Sequence, residues 1–366
     1  MTRFLMIGGF LGAGKTTAIA RLARHYTDQG LRVGIVTNDQ AYGLVDTLNL
    51  RSQGFQVGEV PGACFCCKFD DLVETAAALG SDLQPDVILT EPVGSCTDLM
   101  ATVLHPLRHL FGNRYTLGPL TVLCKPEHGR KILGGGTGGF SPQAAYIFLK
   151  QLEEAQLIVL NKIDRLSTSD RDELLQLLGK RFPDKTILAA SGSTGEGFDA
   201  VIATLQSDAS PAHQPLEIDY DIYAEGEAAL GWLNCTVQLV NLKKLWSLDE
   251  VTQKLVDSFS QALASAGMEP GHIKVLASAG AATAVANWVS SDAPVELSVA
   301  SKIEVHTADV LVNARAHGSP EALAQLVRQA VESLAQRYGL ACEISSVQHF
   351  RPGRPEPVHR YATPHG

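Results

Sequence analysis

Residues 3–17 read RFLMIGGFLGAGKTT, an apolar run that passes into a glycine loop and then into a helical pattern. The run at 3–7 predicts a buried strand, and the periodicity from Lys15 to about residue 26 predicts an amphipathic helix. Between them, Gly9-Phe-Leu-Gly-Ala-Gly14-Lys15-Thr16 satisfies G-x-x-x-x-G-K-[ST], the signature of a phosphate-binding loop. Glycines let the backbone curl so that several N–H groups face inward and cradle a polyphosphate. The positive end of the following helix points at the same place. Gly9, Gly12, Ala13, Gly14, Lys15, Thr16 and Thr17 are therefore the expected nucleotide-binding residues. Lys15 supplies charge to the β- and γ-phosphates, and the Thr16 hydroxyl is the expected Mg²⁺ ligand. A glycine-rich turn arising by chance would lack the strand before it and the helix after it.

Further short apolar runs at 32–37, 86–90, 120–124, 157–160 and 186–190 alternate with helical stretches. Near-continuous apolar strands separated by helices predict an α/β fold, a P-loop NTPase with a mostly parallel sheet covered by helices on both faces. This domain is expected over residues 1–206, with GGGTGG at 134–139 as a flexible surface loop. Residues 207–216 turn to Ser, Ala, Pro and Asp and read as a linker. A smaller α+β domain is expected over 217–350 in a βαββαβ-like order: strand 231–240, helix 248–266, strands 273–277 and 302–313, helix 320–338 and strand 341–349. An insertion is expected around 279–298, and residues 351–366 read as an irregular tail.

Base choice is read from Asn161-Lys162-Ile163-Asp164, which follows the apolar run at 157–160. The Asp164 carboxylate can accept two hydrogen bonds from the N1–H and exocyclic amine of guanine, which adenine does not offer, while Asn161 and Lys162 brace the loop. Ser191, in Ala190-Ser191-Gly192, leads the loop expected near the guanine oxygen. GTP and GDP are thus favoured over ATP. Glu91 ends the third of these runs in TEPVG at 90–94 and is expected to hold Mg²⁺ or its water, with Gly94 leaving room near the γ-phosphate. Asp39, ending the second run, is a further candidate for organising Mg²⁺ or the attacking water. Lys15, Asp39 and Glu91 are the expected catalytic groups. Both acids have a bland alternative, since Asp or Glu at a strand end often caps the next helix.

Cys64, Cys66 and Cys67 form a C-x-C-C cluster. Cys64 and Cys66 in an extended stretch would point the same way, and a turn would bring in Cys67. Soft thiolates suit Zn²⁺ or Co²⁺, whereas a single cysteine would more often be a small buried hydrophobe. Cys96, His105 and His109 are candidates for a fourth ligand, and His306, His317, His349 and His359 show no metal spacing.

The chain has 366 residues, 45% hydrophobic and 19% charged, with a net charge of -9 that argues against a phosphate-backbone partner. Seven cysteines, an odd count, fit free thiols in a reducing compartment better than a disulfide framework. No apolar stretch approaches the ~20 residues of a membrane helix. The apolar start reads as a strand rather than a signal peptide, so the cytoplasm is the expected location.

Taken together, GGFLGAGKTT at 8–17, ACFCC at 63–67, TEPVG at 90–94 and NKID at 161–164 resemble the CobW-type GTPases, a metallochaperone-like branch of the P-loop proteins. The resemblance implies GTP hydrolysis with Mg²⁺ coupled to loading or delivery of Zn²⁺ or Co²⁺ to a client metalloprotein, with Cys64, Cys66 and Cys67 binding that metal. A homodimer contact is one way such a site is completed. Departures include Thr37-Asn38-Asp39-Gln40, where the family tends to carry Glu-Asn-Glu before Phe-Gly, and Ala63, where it usually has glycine. One acidic candidate ligand is therefore missing. The alternative reading is a GTP-dependent switch that docks a partner, with structural cysteines.

Overall fold

The computed structural model describes residues 1–40, 44–80, 84–207 and 216–361. The expected linker lies almost wholly outside the described residues, as does the end of the tail beyond residue 361. The first sheet contains β1 (Thr2–Gly9), β2 (Val33–Asp39), β3 (Gln56–Pro61), β4 (Val87–Glu91), β5 (Tyr115–Leu117), β6 (Thr121–Cys124), β7 (Leu157–Leu160) and β8 (Thr186–Ala189). Its order is β3-β2-β4-β1-β6-β7-β8, with β5 beside the start of β1, and every described pair is parallel. Successive residues of β1 feed two separate cores: Phe4 and Met6 face one, Leu5 and Ile7 the other. This is the physical reason for the continuous apolar runs, since both faces of the strand are buried.

Two strands escaped the apolar pattern. β3 carries Gly58 at its centre, where a Cβ would lie 2.4 Å from Thr75 Cγ2, so close helix packing selects glycine against strand propensity. β5 is only three residues long.

The second sheet is antiparallel, with β9 (Leu230–Val240), β11 (Pro270–Ala279), β12 (Ala282–Trp288), β13 (Glu296–Val299), β15 (Thr307–His317) and β16 (Ala341–Phe350) in the order β13-β12-β11-β15-β9-β16. Short strands β10 (Trp246–Ser247) and β14 (Glu304–Val305) pair separately. Helices Leu248–Ser265 and Pro320–Tyr338 bury Val256, Phe259, Val327 and Val331 in the core they share with this sheet. The region read as an insertion is therefore two added strands, joined to β11 by a tight turn at Gly280, φ 60°. The strand expected from residue 302 begins at Thr307, because Lys302 adopts φ 59° and the chain turns there.

The two sheets are clamped together. Lys125 Nζ, wholly buried, donates to the carbonyls of Val289 (2.8 Å) and Gly271 (3.2 Å), and Asn313 Oδ1 accepts from the Val45 amide at 2.9 Å. His128 meets Glu269 at 2.9 Å. The glycine loop at 134–139 is held there too, since a Cβ on Gly139 would lie 2.9 Å from Glu269 Cγ. Gly139 thus serves close packing, whereas Gly135 is exposed with nothing within 4 Å of an added Cβ. Helix Tyr220–Ala228, though it follows the expected linker, contributes Tyr223 to the core of the first sheet. Among the described residues, no helix is long and apolar enough to cross a membrane.

Candidate functional site

Parallel strands deliver their following loops to one edge of the sheet, where such folds bind ligands. Here β1 feeds the glycine loop, β2 ends at Asp39, β3 leads to the cysteines, β4 ends at Glu91, β7 leads to Asn161 and β8 to Ser191. A cavity of about 550 Å³ opens along this edge. Gly9, Gly12 and Gly14 take φ values of 136°, 73° and 90°, which favour glycine. A Cβ at Gly9 would also lie 2.6 Å from the Leu123 carbonyl oxygen. Lys15 Nζ folds back to the Gly9 carbonyl at 3.0 Å, and burial lowers its pKa against the opposing pull of Glu91.

Asn161 ties two loops together: Nδ2 donates to the Ala13 carbonyl at 2.8 Å and Oδ1 accepts from the Gly192 amide at 3.0 Å. Lys162 is left-handed at φ 61°, its pKa lowered by burial to about 8. Asp164 is exposed at the cavity rim. Ser191 Oγ accepts from the Thr194 amide at 3.0 Å, which shapes the last loop. Gly94 does line the cavity, but its space is taken by Leu11, whose Cδ2 would lie 2.7 Å from an added Cβ.

At the floor, the Thr16 hydroxyl lies 2.6 Å from Asp46 Oδ1 and 3.1 Å from Glu91 Oε1. Glu91 Oε2 is buried and lacks a hydrogen-bond partner among the described residues. Burial, and then the charge on Asp46, raise the Glu91 pKa to about 7. Two carboxylates and a hydroxyl gathered beside a phosphate loop fit a hard divalent cation such as Mg²⁺. Asp46, in the first turn of helix Val45–Ser52, belongs to no recognisable motif. Burial pushes its carboxyl up, yet Lys274, Thr16 and Lys15 together hold it below its ordinary value.

Asp39 departs from expectation. It lines the cavity, but its carboxylate is gripped by Arg315 Nη2 of β15 at 3.0 and 3.2 Å. That guanidinium is buried over the Trp232 ring, 4.1 Å from its centroid, and donates to the Leu233 and Ala314 carbonyls. The strand-end aspartate thus secures the second sheet, a role only the folded molecule reveals.

The cysteine loop leaves β3 as a turn, not an extended stretch, with the Cys67 amide bonded to the Cys64 carbonyl at 3.0 Å. The turn brings Cys64 Sγ to 2.9 Å from Cys66 Sγ and 3.2 Å from Cys67 Sγ. Among the described residues this is the one group of His, Cys, Asp and Glu atoms gathered within 4.8 Å. Hydrogen bonds from Cys66, Cys67 and Cys96 hold the Cys64 thiol well below its usual pKa, while Cys67 is pushed to about 11. Three sulfurs drawn together in this way form a donor set suited to Zn²⁺ or Co²⁺. All seven cysteines are free.

Asn38 positions this loop from the end of β2: its Nδ2 donates to the Val60 and Ala63 carbonyls, both at 2.7 Å, and its Oδ1 accepts from the Phe65 amide at 2.8 Å. Cys96 abuts Cys64, whereas His105 Nδ1 pairs with the Tyr361 carbonyl at 3.0 Å and His109 meets the Tyr361 ring edge to face. Glu227, buried beside Ser95 at 2.5 Å, has an Oε2 without a hydrogen-bond partner and feels the charge of Cys64. The tail is irregular but ordered across the cluster: the Glu356 amide meets Cys67 Sγ at 3.3 Å and the Val358 amide the Cys66 carbonyl at 2.9 Å.

Comparison with known proteins agrees with this arrangement. Over 183 residues, 48% of this chain and 51% of the other, the sequence is 30% identical to the zinc chaperone YeiR of Escherichia coli. The match therefore spans about half the length of that relative. Over 220 residues, 55% of this chain and 91% of the other, it is 28% identical to the urease accessory protein UreG of Metallosphaera sedula. Among solved structures, the Zn(II)-bound YjiA GTPase from E. coli aligns over 91% of this chain and 98% of its own at 14% identity, with a TM-score of 0.36. The family model described as CobW/HypB/UreG, nucleotide-binding domain, matches residues 3–189, a span that holds the glycine loop, the cysteine turn, Glu91 and Asn161 with Asp164. With that span covering half the chain and every one of these residues on one sheet edge, the chain belongs to the CobW/HypB/UreG nucleotide-binding family.

Proposed function

We propose that this protein is a Mg²⁺-dependent GTPase whose cycle governs the binding of a divalent metal, Zn²⁺ or Co²⁺, at Cys64, Cys66 and Cys67 and its delivery to a client metalloprotein. The observation that carries this reading is Asn38. It lies one residue before Asp39 on the rim of the nucleotide cavity, and it fastens the cysteine turn by two hydrogen bonds, to Ala63 and Phe65, while a third holds it to Val60 of β3. A movement at the end of β2 is therefore transmitted to the thiols. The similarity to a zinc chaperone supports metal handling.

In this reading the loop amides and Lys15 hold the phosphates, while Asp164 accepts from guanine and Asn161 keeps the two loops in register. Thr16, Asp46 and Glu91 would hold Mg²⁺, which supplies charge neutralisation on the phosphates. Water attacks the γ-phosphorus, the bond from that phosphorus to the β,γ-bridging oxygen breaks, and GDP and phosphate leave. Clustered free thiols call for a reducing compartment such as the cytoplasm. The test is titration of the purified chain with Co²⁺ in the presence of GDP or a non-hydrolysable GTP analogue, read by thiolate-to-cobalt charge-transfer absorbance. The expected result is an affinity that differs between the two nucleotides. Equal affinity would favour a partner-docking switch with structural cysteines.

A further inference from the structure

The second sheet contributes a residue pair to the wall of the nucleotide cavity. His272 and Lys274 stand two positions apart on β11, so their side chains leave the same face of the strand. Both line the cavity together with Lys15 and Thr16. Lys274 Nζ reaches the two oxygens of Asp46 at 2.5 and 2.6 Å, and the same Asp46 accepts from Thr16. His272 is buried, and its Nδ1 lacks a hydrogen-bond partner among the described residues. A buried nitrogen without a partner is costly, and a ligand in the cavity it lines is one group that would satisfy it.

The glycine loop and Lys15 already provide what a diphosphate requires. A second ammonium and an unsatisfied imidazole nitrogen on the opposite wall are surplus to that requirement. Their chemistry suits one more anionic, multiply accepting group. We propose that Lys274 and His272 contact the terminal phosphate of a nucleoside triphosphate, so that the second sheet distinguishes GTP from GDP in cis. The inference rests on the reading of this cavity as a guanine-nucleotide site. Were Mg²⁺ held by Thr16, Asp46 and Glu91, it would compete with the Lys274 ammonium for Asp46 and leave Lys274 free to pair with a phosphate oxygen. Because β11 is hydrogen-bonded to β12 and β15, loss of the terminal phosphate alters a contact of the whole second sheet.

The test is equilibrium binding of fluorescent GDP and of a fluorescent non-hydrolysable GTP analogue, with Mg²⁺, to the full chain and to its Lys274→Met, Lys274→Arg and His272→Phe variants. Lys274→Met is expected to weaken the triphosphate analogue about tenfold while GDP stays within about twofold, as for loss of one charge-assisted contact. Lys274→Arg keeps most of the discrimination, and His272→Phe loses a part of it. A parallel loss for both nucleotides, or no loss for either, overturns the inference and leaves Lys274 an ion pair between sheets. Failure of the unsubstituted chain to bind either nucleotide overturns the guanine-site reading itself, and this inference with it.

Discussion

Glu91 sets the pH behaviour of the nucleotide site. Burial holds the Glu91 carboxyl near a pKa of about 7, so below neutrality a proton competes with Mg²⁺ for it. The sign follows: a raised folded pKa stabilises the metal-free protein at low pH, and that contribution is lost as pH rises from the ordinary carboxyl value through about 7. Apparent Mg²⁺ affinity is expected to climb by up to about tenfold per pH unit below neutrality and to flatten above it. Glu91→Gln should bind more weakly and without that slope, measured by Mg²⁺ titration of nucleotide binding between pH 5.5 and 8.5. At the cysteines, replacing Cys66 and Cys67 together by serine should abolish Co²⁺ charge-transfer absorbance and leave GDP affinity intact. Persistence of the band would place the metal elsewhere.

Between residue and molecule lies the β2 strand end, which works on both sites. Asn38→Ala removes three hydrogen bonds, two to the cysteine turn and one to Val60 of β3 just before it. About 2–3 kcal/mol of local stability should go with them, at roughly 1 kcal/mol each. Hydrogen exchange at residues 62–68 should speed up while the glycine loop keeps its protection. This scale also shows what could be read from sequence. β1, β2, β4, β6 and β7 are largely buried and announce themselves as apolar runs, and β8, a partly exposed edge strand, was legible from its own short apolar run. β3 was hidden by Gly58, and β12 and β13 by small and polar residues such as Ala284, Asn287 and Ser298. Lys15, Thr16, Glu91 and Asn161 were found because their spacing along the chain is itself the chemistry. Asp46, His272, Lys274 and Glu227 were not, because their positions depend on how distant segments dock.

Across the whole molecule, docking is concentrated in a few buried charges. Arg315 joins Asp39, Trp232 and three further acceptors at the junction of the sheets. Arg315→Met leaves Asp39 facing an apolar side chain and should cost about 3–5 kcal/mol, the range for breaking a buried pair on one side. Thermal unfolding should then begin at a lower temperature and separate into two transitions, one for each sheet. A single transition at the original temperature would show that Lys125 and His128 hold the junction alone.

The Glu356 amide reaches Cys67 across 289 positions of chain. Ribosomes complete the first sheet long before that amide exists, so every newborn copy passes through a period with bare thiols. In that interval the thiols can take up whichever soft ion, or oxidant, arrives first. Once the late segment settles, its Glu356 amide rests on Cys67 Sγ, while Cys64 and Cys66 are buried. Metal identity in the cell is thus open to being set by timing during biosynthesis as well as by equilibrium preference.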